Sequence, residues 1–394
     1  MLERLRQLPR PLHYLFAGTV ATRLGTFVVP YLTIYLSQGR GMTFAATGRV
    51  IAAGGVGLLV GNVLGGHLAD RIGRRPTLLA AIAINIVGLS LLAMELPSDA
   101  AYALALAIAL AGSGMYTPAA NALIADLTPL ATRPFAYTVN YVCINVGMGL
   151  GPLLGGIIAT ASYLWVFIGD IALSGVCAGL IALGVPALGS IRSAPTTGST
   201  SVLQVWASHP VITGFCLASI FVVAPLMGLE YAVPILVGTT FDRALVFVGV
   251  VYSINAACIL ALSFPIERMI QGRNEAAMMV MAALLWAAGL TILAVGQSIA
   301  ALLLCTVVWT MGEIVASIVI PTFVSTRVSA VAKGRMLALQ DAVRSASAIA
   351  CPLVLGVIWD EVGVQAALIV LLALPLCGAA IYGLWWSNAP REPA

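Results

Sequence analysis

Apolar residues in this chain fall into long blocks separated by short polar breaks, with no two-residue alternation. A helix needs about 20 predominantly apolar residues to cross a bilayer. Twelve blocks meet that length, roughly 12–36, 45–69, 76–96, 100–127, 135–160, 164–187, 210–237, 244–268, 275–297, 299–327, 335–359 and 364–387. The apolar positions go all round each predicted helix, as they do when lipid is the surrounding medium. A β-barrel would instead show alternating strands of about ten residues. The expected fold class is therefore all-α, a polytopic membrane protein with twelve transmembrane helices in two six-helix pseudo-symmetric bundles. One break differs from the others. Gly189–Ser201 is rich in Ser, Thr, Gly and Pro and reads as a flexible linker. The predicted division is an N-terminal bundle over 1–188, a cytoplasmic linker over 189–206 and a C-terminal bundle over 207–394.

Composition agrees. Hydrophobic residues make up 61% and charged residues 9%, with a mean hydropathy of +1.04, against about 25% charged residues in a soluble domain. The net charge of +4 is spread over short loops, so it does not point to nucleic acid. With the N-terminus inside, the cytoplasmic segments hold Arg4, Arg6, Arg10, Arg71, Arg74, Arg75, Arg133, Arg192, Arg268, Arg273, Arg327, Lys333, Arg335 and Arg391, and the outer side only Arg40, Arg49 and Arg243. That asymmetry predicts a multi-pass membrane protein with both termini cytoplasmic. The seven cysteines lie in apolar runs with no CxxC spacing, so they read as unpaired packing residues. Residues 1–11 are too polar for a signal-peptide core, and the first helix is expected to stay as a span.

The two halves carry a weak internal repeat. Arg133, Asn140, Pro152 and Gly156 recur as Lys333, Gln340, Pro352 and Gly356, and Asp70-Arg71 has a degenerate echo in Glu267-Arg268.

Four groups of residues carry candidate chemistry. The first is the hairpin Gly66-His-Leu-Ala-Asp70-Arg71-Ile-Gly73-Arg74-Arg75 between the second and third helices. Its glycines permit a tight turn. Its acid among arginines offers a breakable lock. Asp70 can accept from a helix N-terminus of the opposite half, with the eleventh helix near Arg335 as the candidate. Arg71, Arg74 or Arg75 can pair with Asp126 at the inner end of the fourth helix. The alternative is a topology anchor with solvated charges. The second group is Gly147, Gly151, Pro152, Gly155 and Gly156 on the fifth helix. Small residues four apart give a smooth face, and the proline bends it; the alternative is ordinary tight packing.

The third group is ionisable. Glu313, Glu230, Arg23, Asp341 and Arg344 fall inside predicted spans. A charge at the bilayer centre costs on the order of 3 kcal/mol, so each is expected to be paired, protonated or functional. Glu313 and Glu230 are the candidate proton carriers; permanent pairs such as Glu313 with Arg23, or Asp341 with Arg344, are the alternative. Asp170 sits near the outer start of the sixth helix, within reach of water and of the helix dipole, and is read as structural. The fourth group is polar and aromatic: Tyr31 and Tyr35, Tyr116 and Asn121, the stripe Tyr137, Tyr141 and Asn145, then Tyr231 beside Glu230, and Trp309 one turn before Glu313. With Arg23 these would suit a cavity for a weakly polar organic molecule, although tyrosines also mark membrane interfaces. The three histidines have no metal-ligand spacing, and no glycine-rich stretch is followed by the Lys-Ser/Thr of a phosphate loop. No enzyme, cofactor or metal is expected.

The 66–75 hairpin resembles the signature loop of the major facilitator superfamily. The run Ala125-Asp126-Leu-Thr-Pro129, Arg133, Asn140, Asn145, Gly147 and the Gly-Pro-x-x-Gly-Gly ending is similar to its drug–proton antiporters, as is Gly312-Glu313 followed by Pro321. The resemblance implies a cavity between helices 1, 4, 7 and 10 that opens alternately to each side by rocking of the two halves. It also implies a proton-coupled exporter of small lipophilic or drug-like compounds, powered by the proton gradient. The expected partners are the lipid bilayer, protons and a small-molecule substrate, in a monomer. An arginine many relatives carry in the fourth helix is absent from Ala109-Leu-Ala-Gly112-Ser-Gly114, which leaves coupling to Glu230 and Glu313. The alternatives are a proton-coupled importer of peptides or small nutrients, and a lipid translocator. Against the peptide importer, the first helix reads Thr22-Arg23-Leu-Gly25-Thr-Phe27 and lacks a Glu-x-x-Glu-Arg pattern.

Overall fold

The computed structural model describes residues 2–25, 28–129, 132–186, 202–241, 244–296, 298–328 and 330–388. Every described element is helical. Among the described residues, twelve helices are long and apolar enough to cross a membrane. They are span 1 (Arg10–Gly39), span 2 (Phe44–Ile72), span 3 (Arg74–Leu92), span 4 (Asp99–Leu127), span 5 (Arg133–Ala159), span 6 (Tyr163–Gly184), span 7 (Pro210–Thr240), span 8 (Leu245–Ile270), span 9 (Glu275–Val295), span 10 (Ile299–Arg327), span 11 (Met336–Glu361) and span 12 (Val364–Trp385). The expected linker segment Gly189–Ser201 lies outside the described residues, and Val202–Ser208 is a short helix. The helix that carries span 11 opens at Ala330, ahead of the start expected near Arg335.

Local chemistry sets the helix starts. Thr43, Ser98, Ser162, Asn274 and Ser298 each accept a backbone N–H of the first turn, satisfying a donor the helix itself leaves open. Ser98 and Ser298 begin spans 4 and 10 at positions 200 residues apart, so the repeat extends to the caps.

The chain forms two compact units, residues 1–197 with 237–253, and residues 198–236 with 254–394. In the first unit, Gly57, Gly61 and Gly65 of span 2 lie against the backbone of Ala107, Ala111 and Met115 of span 4. The four-residue step on both sides makes a ladder of small-residue contacts. With no hydrophobic drive between helices in lipid, such close approach supplies the packing energy. Gly88 and Gly112 do the same between spans 3 and 4, and Gly147 and Gly151 seat span 5 on Arg23 and Leu24 of span 1. In the second unit, Gly289 and Gly312 bring spans 9 and 10 together around Trp286 and Trp309. Those two indoles stack at 6.5 Å and 7°. Phe215 of span 7 stacks on Phe323 of span 10 at 3.8 Å, and Tyr382 of span 12 donates to the Phe215 carbonyl at 2.7 Å.

The ladder gives a direct test. A Cβ at Gly61 would overlap the Ala111 carbonyl, whereas one at Gly66 meets nothing within 4 Å. Gly61→Val should lower thermal stability by at least the ~1–3 kcal/mol of an overpacked site. Gly66→Ala should stay within about 0.5 kcal/mol of wild type. Melting of the detergent-purified protein distinguishes the two, and an unchanged Gly61→Val would remove the ladder from the account.

Candidate functional site

The loop between spans 2 and 3 turns at Gly73, whose φ of 95° is open to glycine and strained for other residues. The turn ends one helix at Ile72 and starts the next at Arg74. Of the three arginines, Arg74 is the one drawn inward. Its Nε donates to Asp126 at 2.8 Å and its Nη1 to Asp70 at 2.6 Å. A planar guanidinium with several donors can serve two carboxylates at once. Arg75 donates to the Ala182 carbonyl of span 6 at 2.6 Å. Arg71 is exposed and Gly66 half-buried. The side chains of 330–335, where Asp70 was expected to find a helix N-terminus, lie outside the described residues. Arg133 closes the neighbouring helix end by donating to the Ala125 and Thr128 carbonyls.

The second unit carries the same bridge with its charges exchanged. Glu275 at the start of span 9 accepts from Arg327 at the end of span 10, at 2.7 Å. Both residues stand 201 positions after Arg74 and Asp126. By that register Asp70 corresponds to Gln271, so the echo read at Glu267-Arg268 is displaced from the bridge itself.

Around Pro152 of span 5 the first unit holds a second polar junction. The Tyr31 hydroxyl lies 2.6 Å from the Pro152 carbonyl and 3.2 Å from that of Leu245. Ser253 donates to the Gly149 carbonyl at 2.7 Å. Gly156 and Gly249 leave the room for this, since a Cβ on either would press on the Leu245 or Pro152 carbonyl. Tyr31, read from the sequence as a cavity residue, is fully buried in this junction. Gly147, Gly151, Pro152, Gly155 and Gly156 are all buried along the same helix.

The acids of the second unit converge. Asn255 of span 8 donates to Glu313 Oε2 at 2.8 Å and reaches Thr310 Oγ1 at 2.9 Å. Glu313 is half-buried, as is Glu230 of span 7. Arg344 of span 11 lies near enough for its charge to act on Glu230, Glu313 and Asp341. Asp341 and Arg344 do not close into the ion pair their spacing allowed; the described ion pairs lie elsewhere. Asn255 was missed by sequence reasoning. Its signal was a lone amide in an otherwise apolar run, Ser253-Ile-Asn255-Ala-Ala.

The remaining candidates spread out. Tyr116 is buried with its hydroxyl 3.2 Å from Thr19 and 3.8 Å from Cys177. Tyr35 joins an aromatic group with Tyr102, Tyr163 and Phe167. Tyr137 and Tyr141 are exposed, while Asn145 turns inward and donates to the Tyr141 carbonyl. The Asn121 carbonyl accepts from Tyr137. Arg23 donates to Thr117 at 3.2 Å. Tyr231 and Trp309 are buried within the second unit. Asp170, read as a water-facing helix-start acid, is instead buried at 6% exposure.

The exchanged bridges predict how the Arg74 site tolerates change. Arg74→Met leaves Asp126, only 20% exposed, without a cation. A loss of about 3 kcal/mol is expected, the low end for a broken buried pair. The combination Asp70→Gln, Arg74→Glu and Asp126→Arg copies Gln271, Glu275 and Arg327 and should recover most of it. Melting temperatures check both, and no recovery would mean that the two bridges are not equivalent.

Comparison with known proteins agrees with this architecture. The chain is 25% identical over 385 residues to YttB of Bacillus subtilis (strain 168), described as an uncharacterized MFS-type transporter, covering 95% of this chain and 94% of that one. It is 26% identical over 248 residues, 58% of each chain, to a Na(+), Li(+), K(+)/H(+) antiporter of Planococcus maritimus. Among solved structures, the nucleoside transporter NupG superposes with a TM-score of 0.77 at 15% identity, over 95% of this chain and 99% of that one, a likeness of fold. The family description "Major Facilitator Superfamily" matches residues 15–332, and this twelve-span chain belongs to that superfamily.

Proposed function

We propose that this membrane transporter is a proton-coupled secondary active exporter of small lipophilic or drug-like organic compounds, working by alternating access in the bacterial inner membrane. The observation that carries the reading is the Glu313–Asn255–Thr310 contact, with Glu230, Asp341 and Arg344 around it. Three carboxyl groups share the influence of one arginine. Arg344 balances one carboxylate. Glu230 and Glu313 are half-buried while Asp341 and Arg344 are exposed, so a negative charge on the second glutamate stays uncompensated unless a proton joins it. Gain and loss of one proton therefore switches the net charge of this group, which is what coupling to a proton gradient requires. The Asn255 amide can donate to Glu313 Oε2 in either protonation state, with a proton carried on Oε1.

The motif at Asp70, Arg74 and Asp126 supports a gating role on the cytoplasmic side. Its contacts are strong enough to hold the ends of spans 2, 3 and 4 as one piece, and exposed enough at Asp70, 64%, to exchange partners. A second reading, exchange of monovalent cations for protons, has the support of the Planococcus maritimus relative's name.

Proteoliposomes with an imposed pH gradient test both readings. One set is loaded with a fluorescent lipophilic amine dye and another with sodium. Dye movement opposite to proton flow, abolished in Glu313→Gln while downhill leakage persists, is the expected result. Wild-type rate and pH dependence in Glu313→Gln would remove Glu313 from coupling. Gradient-driven sodium movement with no effect on the dye would select the second reading.

A further inference from the structure

The first unit holds an acid that the coupling cluster does not use. Asp170 of span 6 is 6% exposed and forms no ion pair among the described residues. Its backing is the bare backbone of Gly25 on span 1, where a Cβ would overlap the carboxyl group. In front of it lies a cavity of about 50 Å³, room enough for water. The polar groups that line it include Arg23, Asn85, Ser113, Tyr116 and Ser174.

The hydrogen-bond geometry says which form of the acid fits. Ser174 Oγ lies 3.4 Å from Asp170 Oδ1 and 3.2 Å from Asn85 Oδ1. The Asn85 amide nitrogen donates to the Ala109 carbonyl at 3.0 Å, which turns its oxygen toward Ser174. A serine has one hydrogen to donate. Were Asp170 a carboxylate, that hydrogen would face two acceptors and one would go unanswered, a costly condition in a buried site. As a carboxylic acid, Asp170 donates to Ser174, Ser174 donates to Asn85, and Asn85 donates to Ala109. The chain then runs in one direction from span 6 to span 4 with every member satisfied.

The repeat shows that packing alone does not require an acid here. Gly228 of span 7 opens space for Leu371 of span 12, as Gly25 does for Asp170. Asn85 likewise has Trp286 at the position 201 residues on, stacked against Trp309. The second unit has leucine and indole at the positions where the first has an acid and an amide.

We propose that Asp170 is a proton-binding site of the first unit, formed with Ser174 and Asn85. It holds a proton in the arrangement seen here. Release breaks the Asp170 O–H bond and passes the proton to water in the cavity. The carboxylate left behind takes the Ser174 hydrogen, and Arg23 on the cavity wall is the cation nearest in kind to balance it. The titratable groups facing the site are Arg23 from span 1 and Tyr116 from span 4. Cys177 on span 6 meets Tyr116, and span 3 contributes Asn85 and no titratable side chain. The site does not depend on Glu313 or Glu230.

Infrared spectroscopy of the full-length protein containing carbon-13 aspartate reads this site without a transport substrate. The expected result is an isotope-shifted carbonyl stretch of a protonated aspartic acid at neutral pH, lost on moving to alkaline pH. It should persist in Asp341→Asn and be absent from Asp170→Asn. No such band in the wild type at neutral pH, or one that survives Asp170→Asn, overturns the proposal. Thermal melting is the second measurement. Wild type should lose stability as pH rises, because ionisation breaks the chain. Asp170→Asn, whose amide donates to Ser174 at any pH, should lack that loss; an identical pH slope in both proteins overturns the proposal. So does a rise in wild-type stability at alkaline pH with sodium chloride, absent with choline chloride and absent in Asp170→Asn, which would make the site one for sodium.

Discussion

In hydrocarbon a hydrogen-bonding or charged group that the protein leaves unanswered is answered by nothing else. That constraint orders this structure more than any single contact. It explains why 9% of residues are charged, and why those charges that lie along the spans come with specific company. Arg74 sits between two carboxylates at a helix junction. Glu313 has the Asn255 amide and the field of Arg344. Even the carbonyls near Pro152 are met, by Tyr31 and Ser253. A group too costly to leave unpaired is also one whose pairing can be switched, and it is to such groups that the proposed function assigns its roles.

The repeat shows which of these arrangements belong to the scaffold. The bridge between Arg74 and Asp126 returns in the second unit as Glu275 with Arg327, at matching helix ends but with acid and base exchanged. A bridge cares about the product of its charges. Its persistence through a sign reversal therefore argues for a structural task, tying one helix start to the end of the next. Asp70 is the part with no charged counterpart, because Gln271 holds that register. The extra acid gives the first unit's bridge a third member with most of its side chain in the open, and that member is where a switchable contact can be added without dismantling the tie.

Much of the fold was legible in the sequence because long apolar blocks admit little else. Span 10 was bounded at 299 and 327, where Ser298 caps one end and Arg327 anchors the other. Span 3 was read too long, to 96. The helix stops at Leu92, ahead of Pro97, and Glu95 beyond its end meets Arg40. The site was less legible. Three arginines at 71, 74 and 75 looked equivalent, and only the turn at Gly73 decides that Arg74 faces Asp126. The partnership of Asn255 with Glu313 spans 58 residues, and no local pattern carries it. Asp170 was misjudged because depth along a helix was taken for exposure. Its burial is set by Gly25 on another helix, which lets span 6 approach backbone to side chain.

Asp170 against Leu371, 201 positions on, marks where the two units have diverged. Duplication leaves equivalent positions under the same packing demand, and the cheapest answer to that demand in lipid is apolar. Leu371 beside Gly228 and Trp286 beside Trp309 are that answer. The first unit keeps Asp170, Ser174 and Asn85 at the corresponding places and leaves a cavity beside them, a costlier arrangement that packing gives no reason to retain. At the acids of spans 7 and 10 the second unit holds Glu230 and Glu313, and 201 positions earlier the first unit has Val29 and Gly112. Each unit thus pays for buried polarity at a different place along its helices. Under the proposed proton coupling, such unequal placement of titratable groups would let each half respond to protons on its own terms.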